Sequence, residues 1–132
     1  MKQIRWQQRF QNYERAFSHL ERALAIGRPS ETERAGTVQF FELTFELAWK
    51  TLKDYLETQG FQLNTPRDVF KQAYQANVIS QGDVWLEALD NRNLTTHVYD
   101  EATALKVVGL IRDRYFSLLQ ELHKEFQSKK ST

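Results

Sequence analysis

The stretch Arg92-Asn93-Leu94-Thr95-Thr96-His97-Val98-Tyr99 gathers a permanently charged fork, a near-neutral proton carrier and a phenol in one short run. Arginine's planar guanidinium matches phosphate oxygens. Histidine, with an unperturbed pKa of about 6.5, takes and gives protons near neutral pH. Arg92 and His97 together suit phosphodiester chemistry without a metal, and Asn93 can add a neutral hydrogen bond to substrate or to the loop. In one unbroken helix, residues five apart are separated by about 140° around the axis. Convergence of Arg92 and His97 therefore demands a break between them. Asn93 accepts a helix-ending conformation, and Thr95 or Thr96 can cap a following helix. The alternative is structural: an arginine near a helix end, paired with Asp90 or Asp100.

Other chemistry-bearing residues are fewer. Glu42, Glu46 and Lys50 follow one another at single-turn spacing, which suits intrahelical charge pairs. A position facing the Arg92 stretch is their functional alternative. His19 and His123 lie beside charged neighbours in amphipathic segments and read as surface residues. There is no H-E-x-x-H run, no paired acidic metal cluster and no glycine-rich phosphate loop, so neither a metal nor a cofactor is expected.

The elements that must hold this stretch are helical throughout. Trp6, Phe10, Tyr13, Phe17, Leu20 and Leu24 recur every three or four residues and share one helix face. Gln7, Gln8, Gln11, Glu14, Arg15 and Arg22 occupy the other. Gly27 and Pro29 should end this helix, the glycine in a left-handed cap. Ser30 and Glu33 form a capping-box pattern that starts a second helix. Along it Val38, Phe41, Phe45, Ala48, Leu52 and Tyr55 make one stripe, with Phe40, Leu43 and Leu47 in a second beside it. So wide an apolar surface suits a central bundle helix, or one that also meets a partner subunit. Gly60 closes it.

Thr65-Pro66-Arg67-Asp68 signals a further start, and Val69, Phe70, Ala73 and Tyr74 give that short helix its apolar face. A second short helix begins near Ser80 and Asp83 and carries Val84, Trp85, Ala88 and Leu89. The last helix is expected from about Val98 to about Phe126, with Ala102, Leu105, Val108, Ile111, Tyr115, Leu118 and Leu122 as its stripe. The polar tail, 127–132, should fray. These elements predict an all-α fold: an antiparallel up-and-down four-helix bundle, one of its helices broken into two short segments.

Composition sets the outer bounds. At 132 residues the chain, 1–132, is expected to be a single domain with one core. Its 3 Trp, 5 Tyr and 9 Phe oppose disorder. With 18 basic and 17 acidic residues the net charge is +1, so any nucleic-acid contact must be local rather than spread over the surface. Cysteine is absent, which removes disulfides and thiolate metal sites and fits a reducing compartment. The amino terminus shows no apolar run resembling a signal peptide. Nothing approaches the roughly 18 apolar residues of a membrane span. A soluble cytoplasmic protein without membrane contact is the expectation.

The segments FFELTFELAWKTLKDYLETQG, RDVFKQAYQANVIS and GDVWLEALDNRNLTTHVYDEA resemble the nucleotidyltransferase substrate-binding family, of the HEPN superfamily of small helical bundles. The resemblance covers nearly the whole chain, and RNLTTHVY matches the pattern R-x4-H extended to R-x4-H-x-Y. It implies a HepT-like toxin of a toxin–antitoxin pair, encoded beside a minimal nucleotidyltransferase (MNT) that serves as antitoxin. It further implies metal-independent endoribonuclease activity at a homodimer interface, with Arg92 and His97 as the catalytic pair and Asn93 supporting them. The motif tyrosine, Tyr99, is by the same resemblance the target of AMPylation by the partner, with ATP as AMP donor.

Two physical points agree with that implication. Cleavage through a 2′-hydroxyl needs one group to accept a proton and another to protonate the leaving oxygen; a two-fold dimer supplies His97 twice. An AMP group on Tyr99 would place a bulky anion beside a cationic site. A different function also fits the chain: a non-catalytic substrate-binding subunit of a two-component nucleotidyltransferase, which the near-zero net charge favours.

Overall fold

The structure is a computed structural model and describes residues 2–130. Met1, Ser131 and Thr132 lie outside the described residues, so the fraying expected of the tail is not addressed there. Six α-helices account for most of the chain: α1 (Lys2–Leu24), α2 (Glu31–Thr58), α3 (Pro66–Gln75), α4 (Gly82–Asn91), α5 (Glu101–Leu110) and α6 (Phe116–Lys130). A 3₁₀ helix, Arg92–His97, follows α4, and a π turn, Ile111–Tyr115, joins α5 to α6 in one continuous rod. Among the described residues there is no strand, and no helix is long and apolar enough to cross a membrane. The expected helical bundle is what forms.

Aromatic side chains bind the long helices together. Trp6 meets Tyr55 at 5.7 Å and His19 meets Phe40 at 5.1 Å, so α1 and α2 run antiparallel. Phe10 meets Phe126 and Phe17 meets Phe116, which makes α1 and α6 antiparallel as well. Trp6, Phe10, Leu20, Leu52, Leu56, Ile111 and Phe126 are fully buried, and each such side chain contributes about 1.5–3 kcal/mol by leaving water. The buried Tyr13 hydroxyl donates to the Leu119 carbonyl oxygen at 2.6 Å. The two short helices, α3 and α4, fold back on each other: Phe70 stacks on Trp85 at 5.0 Å and Arg67 reaches Asp90 at 2.5 Å.

Several local signals form as the sequence predicts. Ser30 accepts from the Glu33 N–H at 3.1 Å while the Glu33 carboxylate accepts from the Ser30 N–H at 2.8 Å. Thr65 caps α3 by accepting from the Asp68 N–H, with Pro66 at the first helical position. Gly60, at φ +94°, turns the chain after α2 in the left-handed region.

Others form differently. Helix α1 ends at Leu24, three residues short of Gly27, which does not take a left-handed conformation. Ser80 does not cap α4: its hydroxyl donates to Glu121 at 2.9 Å, and Gln81, at φ 55°, precedes the helix instead. Tyr74 is exposed and lies against Gly82, where a Cβ would come within 3.0 Å of its ring.

The rod formed by α5 and α6 starts at Glu101, after Asp100, and residues 127–130 continue it as helix rather than fraying. Val108 is buried as expected, but Ala102 and Leu105 are exposed, and Ala104 and Val107 are buried in their place. Each step of three residues falls about 60° short of a full turn, so three steps back from Ile111 bring Ala102 to the opposite side. His123 is half-buried, stacked on Phe17 at 5.0 Å and bonded to Glu14 at 3.1 Å. His19 is exposed as expected.

Candidate active site

Helix α4 runs into the 3₁₀ segment without reversing, since Asn91 and Arg92 both keep right-handed helical dihedrals. Two hydroxyls add bonds of the same three-residue span. Thr95 Oγ1 donates to the Arg92 carbonyl at 2.5 Å and Thr96 Oγ1 donates to the Asn93 carbonyl at 2.8 Å. Both threonines thus bond backward and neither caps α5. Asp100 does, accepting from the Thr103 N–H at 3.0 Å and the Thr103 hydroxyl at 2.7 Å. Those bonds hold the Asp100 carboxyl below its ordinary value. Glu101 ties the same corner to α2 through Arg34 at 3.6 Å.

In a 3₁₀ helix, residues three apart eclipse one another. Arg92 and Thr95 accordingly share a face, and both line a cavity of about 440 Å³ whose wall on α2 includes Phe41, Glu42, Phe45 and Glu46. Arg92 reaches Glu46 Oε2 at 3.9 Å and not Asp90, which Arg67 occupies, or Asp100. Glu46 is shared further, with Lys50 at 3.3 Å and the Trp49 indole N–H at 3.0 Å. In the Glu42–Glu46–Lys50 series Glu46 and Lys50 form an intrahelical pair, and Glu42 and Glu46 line the cavity beside Arg92. Lys50 touches the site only through Glu46.

His97 sits five residues beyond Arg92, about 10 Å along the 3₁₀ axis and about a third of a turn away. The break expected between them does not form: one unbroken 3₁₀ helix runs through both, with the change of helix type falling before Arg92, and within one chain the two stay apart. Asn93 is exposed next to Arg92. The His97 ring meets the Tyr99 ring edge-on at 6.0 Å, and Tyr99 is 82% exposed. One copy thus presents an arginine beside an acidic cavity and, further along, a histidine–tyrosine pair open to solvent. Among the described residues no three of His, Asp and Glu cluster as metal ligands.

Residues 8–128 match the family described as nucleotidyltransferase substrate binding protein like. The chain belongs to that family. It is 31% identical over 90 residues to a probable ribonuclease HepT of Haemophilus influenzae, an alignment taking in 63% of this chain. That match spans 60% of the relative's own length. A crystal structure of a protein from Thermus thermophilus superposes with a TM-score of 0.76 at 31% identity, over 83% of this chain and 94% of that one. The HepT-like family resemblance carried by RNLTTHVY and its flanking segments is the family found.

In this family member the motif is also held from behind, by residues that spacing does not mark. Asn91, immediately before Arg92, donates from Nδ2 to the Tyr115 hydroxyl at 2.8 Å. Tyr115 donates in turn to Glu87 Oε2 at 2.8 Å. Arg114 grips both Glu87 oxygens, at 2.6 and 2.7 Å. The bonds from Arg114, then from Tyr115, hold the Glu87 carboxyl below its ordinary value. Glu87 raises the Arg114 guanidinium in return, and burial pushes the Tyr115 phenol up. Helical periodicity marks Tyr115 only as a core position; nothing in its spacing announces a hydrogen bond to α4.

Proposed function

We propose that this chain is a HEPN-type toxin, a metal-independent endoribonuclease that works as a homodimer and is neutralised by a minimal nucleotidyltransferase. The observation that carries the reading is the exposed Arg92 and His97 on one 3₁₀ segment, with Tyr99 open beside the histidine. Arg92 binds a phosphate oxygen of the RNA. One His97 takes the proton of the 2′-hydroxyl, whose oxygen attacks phosphorus; the same histidine of a second copy protonates the departing 5′-oxygen. The separation of Arg92 from His97 within one chain supports a site built from two copies. The exposed apolar Leu43 of α2, which lines the Arg92 cavity, offers such a copy a surface.

Silencing follows from Tyr99. Its phenolic oxygen attacks the α-phosphorus of ATP held by the partner, a phosphodiester to AMP forms, pyrophosphate leaves and the phenolic proton passes to solvent. The added anion and its bulk then stand where an RNA phosphate would approach His97. The naming of the Haemophilus relative as a probable ribonuclease HepT supports the ribonuclease half of the proposal.

Expression of the chain alone, beside His97→Ala, tests the first half. Wild type should slow growth and cut RNA, and His97→Ala should do neither; equal behaviour of the two ends the toxin reading. Intact mass after incubation with the partner and ATP tests the second half. A gain in AMP units lost in Tyr99→Phe is expected, whereas a gain retained in Tyr99→Phe assigns the modification elsewhere.

A second reading, a non-catalytic subunit presenting substrate to a separate nucleotidyltransferase, is favoured by two observations. The net charge is only +1, while proteins that grip nucleic-acid backbones depend on clustered cations. The family's own description is of substrate binding.

A further inference from the structure

A π turn holds one residue more than an α turn and occurs mostly where side chains must be re-aimed. Here it spans Ile111–Tyr115, level with the end of α4. An α turn in its place would rotate one flank of the rod against the other by about 100° for the residue removed. Either Arg114 and Tyr115 would leave α4, or Val107 and Val108 would leave the core. The turn lets the rod keep both.

We infer that Tyr115 and Asn91 are positioning residues for Arg92, locked by the Glu87–Arg114 pair; the inference deepens the ribonuclease reading and takes its rate measurement from it. Two independent links connect Tyr115 to the site. Its hydroxyl receives the Asn91 amide at 2.8 Å, one residue before Arg92. Its ring packs on Phe41 at 5.9 Å and 23°, and Phe41 walls the cavity that Arg92 lines. Tyr115 is 3% exposed, and its bond to Asn91 is part-buried.

The direction of the chain of bonds is fixed by chemistry. An ionised Glu87 can only accept, so the Tyr115 proton must point to it. The remaining lone pairs of the phenol then face Asn91, which donates. Arg114 fills both carboxylate oxygens and keeps Glu87 from turning away. On its other side Arg92 has, among the described residues, Glu46 at 3.9 Å as its ion-pair partner, with both side chains more than two-fifths exposed. A loose pair of that kind constrains little. The end of α4, pinned through Asn91, is what sets where the guanidinium starts.

The test compares the full chain with Asn91→Ala, Tyr115→Phe and Tyr13→Phe by amide hydrogen exchange and by RNA cleavage. Tyr13→Phe removes another buried hydroxyl, bonded to the Leu119 carbonyl and remote from the motif, and so controls for general loosening. Asn91→Ala and Tyr115→Phe should speed exchange across Arg92–His97 and lower kcat, each roughly tenfold, with KM within about twofold, because a displaced group is felt most in the transition state. Tyr13→Phe should change neither quantity. Unaltered exchange across Arg92–His97 in the first two variants would overturn the inference, as would an equal effect from Tyr13→Phe. Should wild type and Arg92→Ala both fail to cut RNA, the ribonuclease reading falls, and the exchange comparison still decides whether Asn91 and Tyr115 hold the segment.

Discussion

The two ends of RNLTTHVY are built on opposite plans. The Arg92 end is braced: Asn91 behind it is bonded to Tyr115, Thr95 beside it is buried, and Glu46 stands across the cavity. The His97 end is open, with Tyr99 at 82% exposure and the chain leaving the 3₁₀ segment through a turn to Asp100. A phosphate-binding arginine gains from being held before substrate arrives, because its charge then already stands where the transition state needs it. A tyrosine that a second enzyme must reach gains from the reverse.

The largest effect expected from breaking this contrast lies at the open end. His97→Ala should lower RNA cleavage by about 10²–10⁴-fold, the range for losing a general acid–base group. Its melting temperature should stay close to wild type, since an exposed ring contributes little to folding. A fall in melting temperature as large as the fall in rate would mean that His97 is structural.

A smaller effect separates the two threonines, which make the same bond to a carbonyl three residues back. Thr95 is buried at the braced end and Thr96 is exposed. Thr95→Val should cost about 1 kcal/mol, a drop of a few degrees in melting temperature, because the part-buried bond from the Thr95 hydroxyl to the Arg92 carbonyl is lost. Thr96→Val should stay within about 0.5 kcal/mol of wild type. Thermal melts of both variants check this, and equal losses would erase the distinction between the two ends.

The contrast also marks where sequence reading carries and where it stops. Signals that act within one turn are legible: the reciprocal cap of Ser30 and Glu33, Thr65 with Pro66, and the aromatic face from Trp6 to Phe17. Signals with two local outcomes resolve against the simpler expectation. Thr95 and Thr96 could serve the next helix or the last one, and they serve the last one; Ser80 could cap α4 or reach Glu121, and it reaches Glu121. What spacing cannot encode is a meeting between helices. Arg92 finds Glu46 across the bundle, and Glu87 finds Arg114 27 positions on; both pairings depend on how α2, α4 and the last rod lie against one another. The π turn belongs to the same class, since Ile111–Tyr115 reads as ordinary helix until α4 is placed beside it.

The smallest effect is one of pH, and it tests the brace from the outside. Glu87 is held below its ordinary carboxyl value by Arg114 and then Tyr115. The unfolded chain therefore takes up a proton at a higher pH than the folded one, and stability falls as the solution is acidified through the ordinary carboxylate range. Above that range the contribution is fully present. Glu87→Gln removes the charge but keeps a similar shape, so it should be less stable than wild type at neutral pH and lose less on acidification. The two proteins should converge toward the acid end. Urea midpoints measured from neutral to acidic pH would show this, and curves that run parallel would mean that the Glu87–Arg114–Tyr115 bonds add nothing to the folded state. Because Glu87 and Arg114 are both substantially exposed, the difference should also shrink in high salt. The Asn91–Tyr115 bond, neutral and part-buried, should not weaken with it.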